Sequence, residues 1–229
     1  MNMPEFVAIE GNIGSAKSTL IRAFLAKQQQ QRQRNVVLEE PVHTWHPFLK
    51  AFYDAPSADT AFGLQMEILR SRAEQMLSCA DVGSVVVTER CTDSSRDVFM
   101  RKLADDAILD RSRLDTYNAW DRLLRRMSAN RDRLVGVVYL DVTPETCFER
   151  ARQRCRESES SLTLTYLREL EIAYAVWLQG LRHQGVPVTV LNVSGTSLET
   201  DQEAFEAAGI QSVEAMLRLT DTPRIEMRH

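Results

Sequence analysis

Nine residues, Gly11-Asn12-Ile13-Gly14-Ser15-Ala16-Lys17-Ser18-Thr19, constrain this chain more than any other stretch. They follow the run Phe6-Val7-Ala8-Ile9-Glu10 and lead into a helical pattern, giving the order strand, glycine-bearing turn, helix. Such a turn lets backbone N–H groups converge on phosphate oxygens while the positive end of the new helix faces the same anion. Lys17 is placed to reach the β- and γ-phosphates, and the Ser18 hydroxyl to ligate Mg²⁺. The stretch departs from G-x-x-x-x-G-K-[ST] at one position, where Ala16 replaces the glycine before the lysine. If that position needs a positive φ, alanine costs about 1 kcal/mol of backbone strain. The alternative, a strand-to-helix turn that binds nothing, gives no reason for Lys17-Ser18-Thr19 to follow it. The stretch reads as a nucleotide-binding loop.

Composition narrows the partners. The 229 residues suit one α/β domain or at most two small ones, with a large core. A net charge of −4 argues against a nucleic-acid backbone as the main partner. No apolar run approaches membrane-spanning length, and the first strand begins almost at Met1, so the expected compartment is the cytoplasm. Cys79, Cys91, Cys147 and Cys155 show no C-x-x-C spacing and read as reduced thiols.

Further strands are expected at Asn35–Leu38, Ser84–Thr88, Leu134–Asp141 and Val188–Val193, separated by helical patterns. Helical stretches run from Pro47 to Ser78 with a break near Ala55-Pro56-Ser57, from Val98 to Arg126, and from Ser212 to Leu219. Thr143-Pro144-Glu145 reads as an N-cap with proline at the first helical position. This alternation predicts an α/β fold with a five-stranded parallel sheet, covered on both faces and binding ligands at the carboxyl ends of its strands. Residues 1–219 form the expected domain, and 220–229 a polar tail.

Charged groups stand just past these strands: Glu40 after the second, Glu89 and Arg90 after the third. Singly, each could be a helix cap or a surface ion pair. Together with a phosphate loop they read as a site, because acids buried at strand ends are costly unless they work or pair. Arg150, Arg152, Arg154 and Arg156 crowd one short stretch, and Glu157 and Glu159 follow. A solvated basic helix face is the plain reading. Behind a phosphate loop, a lid over about 150–160 that closes on a triphosphate is the stronger one.

Asn12-Ile13-Gly14, Glu40-Pro41-Val42 followed by Trp45, Gln65 followed by Arg72, Glu89-Arg90, Thr143-Pro144-Glu145-Thr146-Cys147 and the arginine series come in the order of the cellular and viral deoxynucleoside kinases. Over essentially its whole length the chain resembles that family, which includes deoxycytidine, deoxyguanosine and mitochondrial thymidine kinases and the insect multisubstrate enzyme. The resemblance implies a P-loop kinase fold, ATP and Mg²⁺ as cofactors, a homodimer, and transfer of the γ-phosphate of ATP to a deoxynucleoside 5′-hydroxyl in nucleotide salvage. It implies Glu40 as the base, Glu89 with Ser18 on Mg²⁺, and Arg90 at the 5′-oxygen and phosphoryl group. Gln65 would pair with the nucleobase edge between the aromatic walls Trp45 and Phe99, and Tyr53 with Glu159 would read the 3′-hydroxyl. Arg150, Arg154 and Arg156 match lid arginines, and Arg152 is an extra one.

Two departures bear on substrate. Members preferring deoxycytidine or purines carry an Asp partnered with the arginine that matches Arg72; here Ser95 stands at the Asp position, and Cys91 replaces the usual Ser. Arg72 is thus expected to be an unpaired cation near the base slot unless Asp93 or Asp97 serves it. The pattern leans to thymidine and deoxycytidine. Two alternatives stay open: a nucleoside monophosphate kinase resembling thymidylate kinase, and a non-catalytic kinase-fold subunit, for which Ala16 would be the expected lesion. The compact chain and altered loop would fit a viral copy. Val98–Arg126 is the stretch expected to contribute a dimer surface.

Overall fold

The computed structural model describes residues 5–31, 35–79, 85–127, 133–154 and 162–221. Its centre is β1 (Glu5–Gly11), whose Phe6, Val7, Ala8 and Ile9 are fully buried. A strand with no solvent-facing side needs helices on both faces, and the chain supplies them. β2 (Val37–Leu38), β3 (Val86–Glu89), β4 (Arg133–Asp141) and β5 (Val188–Asn192) join β1 in an all-parallel sheet of order β2-β3-β1-β4-β5. After β3 the chain crosses β1 to build the other half of the sheet. The carboxyl ends around that reversal are where such a sheet opens a crevice.

The helices follow their sequence signals. The helix α1 (Lys17–Gln30) springs from the glycine-bearing turn. Then α2 (Val42–Asp54) carries Pro47 inside it, and starts five residues before the Pro47 boundary expected from periodicity. Its first turn is set by the Thr44 N–H donating to the Pro41 carbonyl at 2.9 Å. Ser57 then caps α3 (Ala58–Ser78) in a reciprocal box with Thr60, which is why the break falls at 55–57.

Beyond β3 the chain coils through α4 (Thr92–Ser94), a π-helical turn at Ser95–Met100, and α5 (Arg101–Asp105). The wide turn sits at the cleft, where π-bulges are commonly found. Next come α6 (Arg111–Met127), α7 (Pro144–Arg154) and α8 (Leu164–His183). The last helix, α9 (Gln202–Asp221), is ten residues longer at its start than the apolar pattern suggested. Asp201 explains the earlier start, its carboxylate accepting the Ala204 N–H at 2.9 Å. Arg156, Glu159 and Cys155 lie outside the described residues, as does most of the expected lid. The other three cysteines are buried free thiols.

Candidate active site

The carboxyl ends of β1, β2 and β3, the start of α1, and the inner faces of α2, α3 and the π-turn enclose a cleft of about 260 Å³. Loop residues Ile13, Gly14, Ala16, Lys17, Ser18 and Thr19 line one end, and Trp45, Tyr53, Gln65, Arg72, Ser95 and Phe99 the other, with Glu40, Glu89 and Arg90 between. Residues from across the sequence, read separately as loop, base, metal ligand and base slot, meet in one cavity.

The loop is held from outside. Asn12 Nδ2 donates to the Leu167 carbonyl on α8 at 2.8 Å, while its Oδ1 accepts the Ile13 N–H at 2.9 Å. Gly14 has φ +86°, and a Cβ there would collide with the Cys147 carbonyl on α7. Ala16 has φ 70° and ψ 23°, the left-handed conformation that the glycine of the common pattern would adopt without strain. Its carbonyl accepts the N–H groups of Thr19 and Leu20, both at 3.1 Å, starting α1. Lys17 is buried beneath the loop, its Nζ donating to the carbonyls of Asn12 at 2.7 Å and Gly11 at 3.1 Å and to Ser15 Oγ at 3.4 Å. Burial pulls its ammonium down to about 8; Arg90 adds to the pull, and Glu40, Glu89 and Glu10 oppose it.

Ser18 Oγ donates to Glu89 Oε1 at 2.7 Å. Burial, reinforced by the charge of Glu40, pushes the Glu89 carboxyl up, against Lys17, Ser18 and Arg90. A hydroxyl and a carboxylate in contact beside a phosphate cradle are the hard oxygen donors that Mg²⁺ takes, its remaining positions going to phosphates and water. The donor set therefore fits the ion.

Glu40 lies between two guanidinium groups. Arg90 Nη1 donates to both its oxygens, at 3.0 and 3.1 Å, and Arg72 Nη2 to Oε1 at 2.8 Å. Burial pushes Glu40 up, but the charges of Arg90, Arg72 and Lys17 outweigh it and hold the carboxyl below its ordinary 4.5. Arg72 is therefore not the unpaired cation expected from its missing acid. Its partner is Glu40, and its Nη1 also serves the carbonyls of Glu89 at 3.0 Å and Arg90 at 3.2 Å. Asp93 and Asp97 are engaged by Arg96, and Asp93 by Arg125 as well. Ser95 donates its hydroxyl to the Cys91 carbonyl at 3.0 Å.

At the end of the cleft away from the loop, Trp45 Nε1 donates to Ser71 Oγ at 2.8 Å, and Arg72 lies 5.4 Å from its ring centre. Phe99 has the Arg90 guanidinium 5.1 Å from its ring centre. Gln65 is buried, and its Oε1 has no partner among the described residues, an amide oxygen left for something that enters the cleft. Of the arginine series, Arg154 lines the cleft, whereas Arg150 donates from Nη2 to the Glu199 carbonyl at 3.2 Å and Arg152 lies 5.7 Å from the Phe148 ring centre.

Sequence reasoning missed Tyr166 and Phe52 in the lining, and Glu10 and Tyr174 behind Arg90. Glu10 carried a signal, a charge directly after the apolar run Phe6–Ile9 of a buried strand. Burial pushes its carboxyl up, and the charge of Arg90 opposes. Tyr174 carried none, since a tyrosine on an apolar helix face looks like any core residue.

A family model described as deoxynucleoside kinase matches residues 7–216. A protein of Invertebrate iridescent virus 6 named as a kinase is 31% identical over 195 residues, spanning 85% of this chain and 92% of its own. The mitochondrial thymidine kinase 2 of Homo sapiens is 29% identical over 210 positions (87% and 74%), and the mitochondrial deoxyguanosine kinase of Xenopus laevis 28% over 238 (89% and 84%). With the parallel sheet, the phosphate loop and the carboxylate between two arginines already in place, this match over nearly the whole chain means that the protein belongs to the deoxynucleoside kinase family, with its P-loop kinase fold.

Proposed function

We propose that the chain transfers the γ-phosphate of ATP to the 5′-hydroxyl of a pyrimidine deoxynucleoside, thymidine and deoxycytidine, in nucleotide salvage. The observation that carries this reading is the convergence of Glu40, Arg90 and the phosphate loop in one cleft. Glu40 is ionised at neutral pH and lines the same cleft as the loop, so it would accept the proton of a hydroxyl bound there as the oxygen attacks phosphorus. Arg90, on the same carboxylate, would stabilise the charge that builds on the transferred group. The loop amides and Lys17 would cradle the phosphates of ATP, and Ser18 with Glu89 would hold Mg²⁺, which when bound bridges and neutralises phosphate oxygens. Arg154 at the cleft edge, with Arg150 and Arg156, would belong to the lid, and Tyr53 with Glu159 to the sugar.

Gln65 and Ser95 support the pyrimidine. The amide oxygen of Gln65, without a partner among the described residues, and its NH₂ match a paired donor–acceptor edge, and Ser95 would put a small hydroxyl where a carboxylate would select a different exocyclic group. A second copy of the chain is the expected partner, docked on α6, where Trp120, Leu123 and Met127 are exposed at i, i+3 and i+7. No described helix is long and apolar enough to cross a membrane, and the cytoplasm (the host's, for a viral copy) is the compartment we assign.

Phosphate transfer from labelled ATP to thymidine, deoxycytidine, deoxyguanosine and deoxyadenosine, with and without Mg²⁺ and with thymidine monophosphate as a control acceptor, tests the reading. Transfer to pyrimidine nucleosides is expected, falling roughly 10²- to 10⁴-fold in kcat for Glu40→Gln. Transfer to the monophosphate alone, or to nothing from folded protein, would overturn it.

A further inference from the structure

Glu10, at the end of β1, is wholly buried, and the transfer reaction described above makes no use of it. Its Oε1 accepts the backbone N–H of Cys91 at 3.0 Å, and its Oε2 accepts the Tyr174 hydroxyl at 3.0 Å. The same hydroxyl accepts from Arg90 Nε at 3.2 Å. A single carboxylate therefore grips Arg90 twice, through the peptide that follows it and through the tyrosine on its guanidinium.

Arg90 needs such a grip. Its φ of 57° is left-handed, which a long side chain adopts only where the surroundings over-determine it. Its N–H donates to the carbonyl of Ile9, the residue before Glu10, at 3.0 Å, and its Nη2 to the Gly11 carbonyl, the residue after, at 3.2 Å. The end of β1 thus encloses Arg90 from backbone to guanidinium, with Glu10 as the only charged group among those three residues. We infer that Glu10, acting through Tyr174 and the Cys91 amide, is a positioning residue that sets the Arg90 guanidinium for phosphoryl transfer.

The chemistry of the contacts makes the inference specific. Both Glu10 oxygens receive hydrogens. A glutamine has one oxygen and one NH₂, so in Glu10→Gln either Cys91 N–H or the Tyr174 hydroxyl would face a donor. In Tyr174→Phe the Arg90 Nε–H loses its acceptor while the ring packing against Phe99, Tyr139 and Trp177 stays. A misplacement of Arg90 on the order of 1 Å is enough to cost roughly a hundredfold in rate.

The test is a double-mutant cycle in kcat on the full chain, and it rests on the kinase reading above. Glu10→Gln and Tyr174→Phe should each lower kcat roughly ten- to a hundredfold with the nucleoside KM little changed. The double variant should be no slower than the slower single one, and Glu10→Gln should cost nothing further once Arg90 is already Lys. Thermal melting of each variant separates folding from rate. Multiplicative losses, a loss confined to KM, or full kcat in Tyr174→Phe would overturn the inference while leaving the kinase reading intact. A wild-type chain without transfer activity would fail both, and at a different step of the same experiment.

Discussion

Arg72 Nη2 donates to Glu40 Oε1 at 2.8 Å, tying α3 to the residue that stands just past β2. With Arg90 on the other side, the carboxylate is held ionised by two cations, and its pH behaviour follows. The folded-state value lies below 4.5, so under acid conditions the unfolded chain takes the proton first. The pair's contribution to stability is therefore present above about pH 4.5 and lost as pH falls through the lower folded value. By the same logic, kcat/KM for the nucleoside at saturating ATP should show no limb from Glu40 at any pH above about 4.5. Arg72→Met removes one cation and frees the carbonyls of Glu89 and Arg90. Its acid limb should move to higher pH, and stability should fall by about 3 kcal/mol, the order expected when a buried ion pair loses a partner. A pH–rate profile of wild type and variant checks this, and superimposable acid limbs would sink it.

Ala16 occupies the left-handed region at φ 70°. Ala16→Gly removes a strain of about 1–2 kcal/mol and returns part of it as unfolded-state entropy, leaving a gain of roughly 1 kcal/mol. Thermal melting should show the rise, with phosphate transfer kept. Gly14→Ala is the contrasting change. Besides its φ of +86°, the added Cβ would drive into the Cys147 carbonyl, so the loop must shift off α7. That variant should lose stability and, more sharply, ATP affinity. Equal melting points for wild type and Ala16→Gly would mean that the strain is relieved elsewhere.

These two sites also mark what the sequence could and could not disclose. Val7, Ile9, Val86, Val87, Val137 and Val138 announce the sheet because strands buried on both faces must be β-branched and continuous. The loop and Glu40, Glu89 and Arg90 were legible because a fixed topology puts whatever ends or follows a strand at one rim of the sheet; Glu89, expected just past the third strand, is the last residue of β3. The pairing of Arg72 with Glu40 was not, because it joins residues 32 positions apart through side-chain rotamers that no periodicity encodes. Reading Arg72 against the acids nearest Ser95 gave Asp93 and Asp97, whose charges are spent on Arg96 and Arg125 instead. The start of α9 was hidden for a simpler reason. Gln202, Glu203 and Glu206 have no apolar rhythm, and the capping Asp201 is the only mark of where the helix begins.

Among the described residues, Trp45 is fixed by a single side-chain hydrogen bond, Nε1 to Ser71 Oγ at 2.8 Å, in a buried setting. Ser71→Ala leaves that indole N–H unpaired, a cost of about 1–3 kcal/mol, and frees the ring to turn in the slot. The nucleoside KM should rise severalfold while kcat stays near wild type, because Glu40 and Arg90 are untouched. Ser71→Thr, which keeps a hydroxyl, should recover most of the affinity. Steady-state kinetics on both variants decides. A fall in kcat without a change in KM would mean that Trp45 does not wall the nucleobase.

Trp120, Leu123 and Met127 leave α6 with 49, 44 and 71% of their surface exposed, while Asp121, one position from Trp120, is buried. Asp121 takes Arg96 Nη1 at 2.9 Å and Arg125 Nε at 3.0 Å, fastening α6 to the π-turn that carries Ser95 and Phe99. The helix thus has one face locked to the π-turn at the cleft and an apolar stripe facing out, the arrangement of a surface awaiting a partner of similar character. A second copy is the partner proposed here. The wild-type chain should then sediment at twice its 26.1 kDa, and the double change Trp120→Glu with Leu123→Glu should give a monomer. Because both side chains are already half in water, the melting point of the isolated subunit should move little, within about 0.5 kcal/mol in stability. A wild type that sediments as a monomer at micromolar concentration would assign the stripe to some other partner. A variant that stays dimeric would move the interface off α6 altogether.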